Sequence, residues 1–320
     1  MDPIRWQNHR LRNFVQSTVL LTAMAMLLGT LGWLLAGSLG VMLAAAGIFI
    51  IGSCAPGVSP KLTLQLSGAR ELPYNAAPEL HSAVHELSKR AGLDAAPTLH
   101  YVPNGTVNAF ALGNTRNSAL AVSEGLLRVL SRRELTGVLA HELSHIRNGD
   151  TWVLGLAGLL NRITTTLALA GGLLLLLSIP LVLMGASTVS LVGVLVLLLA
   201  PKVSGLLQLA LSRTREYDAD LGAVSLTHDP SGLASALDKL SHIERGWLRR
   251  MFRMGRADPP ELLRTHPATS ERIRRLNELV VNQPMASSGW TSRGDHAQVT
   301  PPVARSDLAH YRPRRARWPH

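Results

Sequence analysis

The most chemically informative stretch of this sequence is His141-Glu142-Leu143-Ser144-His145. Residues four apart lie on one face of a helix, so both imidazoles can point at a single metal ion. Neutral imidazole suits zinc, and the glutamate after the first histidine can reach water at that metal. Zinc lowers the pKa of such a water to about 7, and the carboxylate can take its proton as the water attacks a peptide carbonyl. The motif therefore predicts a metallopeptidase centre with ligands His141 and His145 and general base Glu142.

The residues around the motif predict the helix that it requires. Ser131 and Glu134 have the spacing of a capping box, which marks a helix start. Apolar residues then follow at helical intervals: Leu135, Val138, Leu139, Leu143 and Ile146. We therefore expect an amphipathic helix over 132–150. The alternative is a solvated helix face that carries two histidines and a glutamate without a metal.

A third protein ligand is expected, since catalytic zinc has three and keeps one position open. The best candidate is Glu216, about seventy residues later, with Asp220 four residues beyond it on the same helix face. We expect Asp220 to accept a hydrogen bond from the second ring nitrogen of a ligand histidine, His141. The alternative is an exposed acidic face paired with Arg213 and Arg215.

Two long apolar runs predict a membrane protein. Residues 13–60 and 163–201 contain no Asp, Glu, Lys or Arg, which makes runs of 48 and 39 residues. A membrane-spanning helix needs about 20 apolar residues, so each run can form two spans joined by a tight turn. The expected spans are 15–35, 41–54, 163–183 and 188–209. The first run is too long for a cleaved signal peptide, and the remaining alternative is two buried helical hairpins in a soluble protein.

The positions of the basic residues predict the orientation in the membrane. Arginines precede the first span, Lys61 and Arg70 follow the second, and both short turns are uncharged. By the positive-inside rule, the N-terminus and both parts of the metal-binding region are cytoplasmic. The net charge of +11 fits contact with an anionic lipid bilayer, and no nucleic-acid-binding signature is present. The single Cys54 excludes an intrachain disulfide.

The region before the motif predicts a small sheet. A helix is expected near 78–90, strands at 98–102, 107–112 and 119–122, and a further helix at 124–130. Asn108, Ala109 and Phe110 could form a sheet edge beside the metal-binding helix and pair with the backbone of an extended substrate. The alternative is an ordinary core strand with Phe110 buried.

Taken together, these segments resemble the HtpX-type membrane zinc metallopeptidases, relatives of the CAAX prenyl endopeptidases. The resemblance covers about residues 5–280 and is carried by the segments 108–110, 138–150, 212–220, 265–267 and 271–273. It implies one zinc per subunit, bound by His141, His145 and Glu216. It also implies that His266 or Arg272 stabilises the oxyanion of the tetrahedral intermediate. Family members are implicated in cleaving damaged or misfolded membrane proteins at the cytoplasmic side.

The sequence thus predicts an α+β, mainly α, polytopic membrane protein with four transmembrane helices and a cytoplasmic zincin-like metallopeptidase domain. Its expected partners are peptide or membrane-protein substrates and the bilayer, with no nucleic acid. The predicted segments are 1–14 (cytoplasmic), 15–54 (first hairpin), 55–150 and 210–281 (protease domain), 151–209 (second hairpin) and 282–320 (disordered basic tail).

Two other functions stay open at this point. One is a processing protease with a single, defined and possibly lipidated substrate. The other is a membrane transport or scaffold protein with a structural zinc. The presence of Glu142 makes this second function less consistent with the sequence. A structural site fills all four positions with protein ligands and needs no carboxylate beside an open one.

Overall fold

The computed structural model describes residues 3–54, 60–185, 190–252 and 269–281. The described chain is mostly helical, with one small sheet. It divides into two compact units. One unit contains the long apolar helices up to Asp218; the other contains residues 60–148 and the described residues from Ala219 onward. The predicted tail, 282–320, and His266 lie outside the described residues.

The apolar unit begins with helix α1, Pro3–Cys54, which is interrupted at Ala36 and Gly37. Gly37 has φ +58°, a left-handed conformation that glycine adopts without strain. A methyl group added to Gly40 would overlap the backbone of Gly32. Residues eight apart in a continuous helix are separated by about 12 Å, so the chain must reverse at this interruption. Helix α1 is therefore a hairpin of two closely packed helices.

Two more long helices complete this unit: α6, Asp150–Leu183, and α7, Leu191–Thr227. Together with residues 14–50 of α1, they are the three described helices that are long and apolar enough to cross a membrane. Many of their large apolar side chains are exposed, among them Leu169, Leu177 and Leu198. Because such extended apolar surface is unfavourable in water, the chain is a membrane protein.

The second unit is built on a four-stranded sheet. Its strands are β1, Arg70–Glu71; β2, Thr98–Val102; β3, Ala109–Gly113; and β4, Ser118–Ser123. Their order in the sheet is β1-β2-β4-β3. Strands β2 and β4 are parallel, whereas β1 pairs antiparallel with β2 and β3 antiparallel with β4. Among the described residues, β3 therefore has one edge without a strand partner.

Helices cover both faces of this sheet. They are α2, Pro60–Leu66; α3, Pro78–Ala91; α4, Glu124–Val129; α5, Arg132–Asn148; α8, Pro230–Phe252; and α9, Thr269–Val281. The main apolar core joins α3, α4, α5, α8 and α9 to strands β2 and β4, with Leu120, Leu139 and Leu143 at its centre. A smaller core around Leu64 and Ala121 lies on the other face.

The helices predicted near 78–90, 124–130 and 132–150 and the strands predicted at 98–102 and 119–122 are confirmed to within two residues. The strand predicted at 107–112 corresponds to β3, which begins two residues later, at Ala109. Helix α5 ends at Asn148 rather than at residue 150, because Gly149 adopts φ +69° and Asp150 begins α6. The stretch between residues 60 and 77, for which the sequence predicted no helix or strand, contains α2 and β1. Helix α7 also includes Pro201 and extends beyond the predicted end of the fourth span at residue 209, as far as Thr227.

Candidate metal centre

The start of α5 fixes the helix that carries His141 and His145. Ser131 Oγ accepts a hydrogen bond from Glu134 N at 3.4 Å, and Glu134 Oε2 accepts one from Ser131 N at 2.8 Å. This is the predicted capping box. Glu134 Oε1 also accepts a hydrogen bond from Ser235 Oγ at 2.6 Å, and Oε2 accepts one from Lys239 Nζ at 2.8 Å. The carboxylate therefore both caps α5 and attaches it to α8.

These contacts also determine the charge state of Glu134. Burial on its own raises the pKa of this carboxyl group, but hydrogen bonds from Lys239, Ser235 and Ser131 outweigh it and lower the pKa to about 2. Glu134 is consequently ionised throughout the neutral and mildly acidic range.

His141 and His145 lie close together because they are four residues apart, about one turn, on α5. Their Nε2 atoms lie 3.1 Å apart, and the rings are perpendicular. His141, His145 and Glu216 each offer one ligand atom, and all three atoms lie within 4.8 Å of one another. Among the described residues, this is the group of histidine, cysteine and acidic side chains that could hold a metal ion.

The geometry and the donor types fit zinc. Two nitrogens bound to tetrahedral zinc at about 2.05 Å lie roughly 3.3 Å from each other, close to the separation of the two histidine nitrogens. Two imidazoles and one carboxylate make three protein ligands, which leaves the fourth position that a catalytic site requires.

Asp220 holds the His141 ring through Nδ1, the nitrogen that does not face His145. Asp220 Oδ1 lies 3.0 Å from His141 Nδ1, and both side chains are buried. Such a carboxylate fixes the tautomer with hydrogen on Nδ1, so the Nε2 lone pair faces the other ligands. Asp220 in turn accepts two hydrogen bonds from Arg272, from Nε to Oδ2 and from Nη2 to Oδ1, each 2.7 Å long. Arg272 is 3% exposed and therefore buried with its partner.

Glu142 lies on α5 between the two histidines and is half-buried. Its neighbour Ser144 is buried, and its Oγ donates a hydrogen bond to Ala140 O at 2.8 Å. A Cβ atom on Gly222 would come within 2.5 Å of this Oγ. A glycine at this position therefore allows the C-terminal end of α7 to approach α5 closely.

Strand β3 lies against α5 in the same unit. Ala109 and Ala111 contact the main core, whereas Phe110 is half-buried against the smaller core on the other face. Asn108, just before the strand, is exposed, and its N donates a hydrogen bond to Ser123 Oγ at 2.9 Å. The structure thus places the segment 108–110 at the start of the edge strand, with the Phe110 side chain directed away from α5.

The structure therefore brings five of the predicted site residues together: His141, His145, Glu216, Asp220 and Arg272. The sequence did not predict the ion pair between Arg272 and Asp220. Its partners are 52 residues apart, and no local spacing rule connects them. The bidentate pairing of an arginine with a carboxylate is a strong interaction, but it becomes visible only in three dimensions.

The sequence matches a known protein family. The profile described as "Peptidase family M48" matches residues 75–280. The chain is 35% identical over 286 residues to a "Protease HtpX homolog" of Paraburkholderia phytofirmans, an alignment that covers 83% of this chain and 97% of the relative. A second such homolog, from Methylibium petroleiphilum, is 33% identical over 287 residues and covers 84% of this chain and 98% of the relative.

Among solved structures, the crystal structure of S. mikatae Ste24p matches with a TM-score of 0.39 at 16% identity. The match covers 84% of this chain and 66% of the Ste24p chain.

Proposed function

Because the chain belongs to peptidase family M48 and is a membrane protein, we propose that it is a zinc-dependent endopeptidase. We further propose that it cleaves misfolded or damaged membrane proteins at the cytoplasmic face of the cell membrane. The observation that carries the enzymatic part is the convergence of His141, His145 and Glu216, with Glu142 on the same helix.

In this mechanism, zinc bound by the two histidines and Glu216 would supply the positive charge that polarises a peptide carbonyl and acidifies water. The Glu142 carboxylate takes the proton of the attacking water and later delivers it to the nitrogen of the leaving amine. Asp220 holds the His141 ring in one tautomer and orientation, and Arg272 holds Asp220. We propose positioning as the main task of Arg272, since two of its nitrogens already donate to Asp220.

The proposed substrate site is the open edge of β3. An extended peptide can add to such an edge through backbone hydrogen bonds, which depend little on side-chain identity. Asn108, Ala109 and Phe110 begin this edge, and Asn108 is fixed by its backbone bonds to Ser123. Acceptance of varied sequences is what cleavage of damaged proteins requires.

For the membrane topology, we propose four crossings rather than three, since the reversal at Ala36 and Gly37 makes α1 a hairpin. With the positively charged segments on the cytoplasmic side, an even number of crossings before and after α5 leaves both parts of the protease region in the cytoplasm.

The decisive experiment compares wild type with Glu142→Gln as detergent-purified full-length proteins, using a misfolded membrane-protein reporter as substrate. We expect about one zinc in each protein and a loss of roughly 10²- to 10⁴-fold in cleavage rate for the variant, the usual contribution of a general base. Glu86→Gln, at an exposed position on α3, is the matched control and should cleave like wild type.

Three outcomes would contradict parts of this proposal. Equal cleavage by Glu142→Gln would exclude Glu142 as the base. A wild-type protein without zinc would remove the metal centre. Zinc-loaded wild type that leaves the reporter intact, but cleaves one native protein in membranes, would favour a dedicated processing protease.

A further inference from the structure

A buried ionic cluster within the apolar unit has no part in the mechanism above. It consists of Asp150 at the start of α6, Arg215 on α7 and Ser17 on α1. Their exposed fractions are 1%, 9% and 3%, respectively. Arg215 Nη1 lies 3.2 Å from Asp150 Oδ1, and Arg215 Nη2 donates a hydrogen bond of 2.6 Å to Ser17 Oγ. One guanidinium therefore connects all three long helices of this unit.

Such a cluster is costly to bury. The effective penalty for removing an ion from water is several kcal/mol, and apolar side chains of similar volume often give equal or greater stability. Stability alone is thus a weak explanation for Asp150 and Arg215. A buried ion pair does favour one defined geometry, because any arrangement of the helices that separates its partners leaves an uncompensated charge in the interior.

The geometry defined here is the rotation of α7. Arg215 immediately precedes Glu216, the proposed zinc ligand, and successive residues point about 100° apart around a helix. With Arg215 held by Asp150 and Ser17, the direction of the next side chain is set as well. A catalytic constellation tolerates errors of only about 10–20°, so a small rotation of α7 would misdirect the Glu216 carboxylate.

We propose that Arg215 is a positioning residue, and that its contacts with Asp150 and Ser17 aim Glu216 at the zinc. Through Ser17, the first membrane helix takes part in building the metal centre. The inference rests on the proposed function in that it takes Glu216 as a zinc ligand.

The test measures zinc affinity rather than activity. Full-length proteins in detergent are stripped of metal, and the zinc Kd is determined by competition with a chromophoric chelator. We expect Arg215→Met to weaken zinc binding by about 10- to 100-fold, the usual effect of losing a residue that orients a metal ligand. Arg215→Lys should recover part of this loss, since one ammonium can retain the charge pair with Asp150 but lacks the fork that also reaches Ser17.

Ser17→Ala is the milder variant, because it leaves both charges in place and removes a single hydrogen bond. We expect several-fold weaker zinc binding and only a small decrease in the Tm of the metal-free protein, because the loss of one buried hydrogen bond costs about 1–3 kcal/mol. The matched controls are Thr18→Val, at the exposed neighbouring position, and Arg213→Met, an exposed arginine on the same helix. Both controls should bind zinc like wild type.

The outcomes separate this inference from the proposed function. If wild type itself binds no zinc, the proposed function fails. If wild type binds zinc and the variants of Arg215 and Ser17 bind it equally well, with only a lower Tm of the metal-free protein, the cluster is merely structural. The positioning role is then overturned while the proposed function stands.

Discussion

At the scale of single residues, the two ring nitrogens of His141 have separate tasks. Nδ1 faces Asp220 at 3.0 Å, which leaves Nε2 to face His145. A carboxylate in this position both orients the ring and increases the basicity of the ligand nitrogen. Asp220, although it is not a proposed ligand, should therefore influence how tightly metal is bound.

Asp220→Asn tests this task. The amide keeps the shape of the side chain but loses the charge that faces both His141 and Arg272. We expect zinc affinity to fall by about 10- to 100-fold, measured by chelator competition on the purified protein. Asp238→Asn, at an exposed position on α8, is the control. An unchanged zinc affinity for Asp220→Asn would show that Asp220 does not support the metal ligand.

Much of the residue-level chemistry could be predicted because helices repeat. A spacing of four residues places side chains on one face, and this rule alone pairs His141 with His145 and Glu216 with Asp220. No such rule joins Arg272 to Asp220 or Arg215 to Ser17, since these contacts connect distant parts of the chain. Their detection requires the tertiary structure.

At the scale of elements, the junction of α5 with α8 depends on Glu134. Its pKa of about 2, below the ordinary value of 4.5, means that the folded protein prefers the ionised form. A depressed pKa contributes stability that is fully present above about pH 4.5 and is lost as the pH falls towards 2. The difference corresponds to a contribution on the order of 3 kcal/mol at neutral pH.

Glu134→Gln should therefore lower the Tm of the metal-free protein at pH 7, and the gap from wild type should shrink between pH 4.5 and pH 2. Differential scanning fluorimetry across this range measures both effects, and metal-free protein avoids the acid release of zinc. Glu86→Gln, on the exposed surface, should show neither change. A gap of constant size at all pH values would mean that the effect is not ionic.

Secondary structure before residue 150 was predictable where strong local signals exist. The capping box of α5 and the apolar segments of β2 and β4 are such signals, and these elements lie where they were expected. Helix α2 and strand β1 have seven and two residues, which is too short for a clear period. The continuity of α7 was hidden because Pro201 and Lys202 interrupt its apolar pattern and its composition becomes charged from Arg213 onward.

At the scale of the whole molecule, the number of membrane crossings decides where each segment lies. The close approach of Gly32 and Gly40 makes α1 a hairpin whose turn lies near Ser38. With the basic segments in the cytoplasm, four crossings predict that Ser38 faces the outside, while Asp94 and the N-terminus face the cytoplasm. Single cysteines at these positions, in a Cys54→Ser background, can be labelled in intact cells with a membrane-impermeant maleimide.

We expect labelling of Ser38→Cys in intact cells, and labelling of Asp94→Cys and Arg10→Cys only after permeabilisation. If α1 crossed the membrane once, Arg10 and Asp94 would lie on opposite sides, and one of them would react in intact cells. That result would overturn the four-crossing topology without affecting the metal centre.

The unbroken course of α7 from Leu191 to Thr227 has a consequence for how the sequence can change in evolution. Each residue added to or removed from a helix rotates everything beyond it by about 100° and shifts it by 1.5 Å. Substitutions at exposed positions in the apolar part of α7, such as Leu195 and Leu198, need only keep the side chains compatible with lipid. A single-residue insertion or deletion between that part and Glu216 would turn the carboxylate away from its partners. This helix should accordingly tolerate changes in composition far more readily than changes in length.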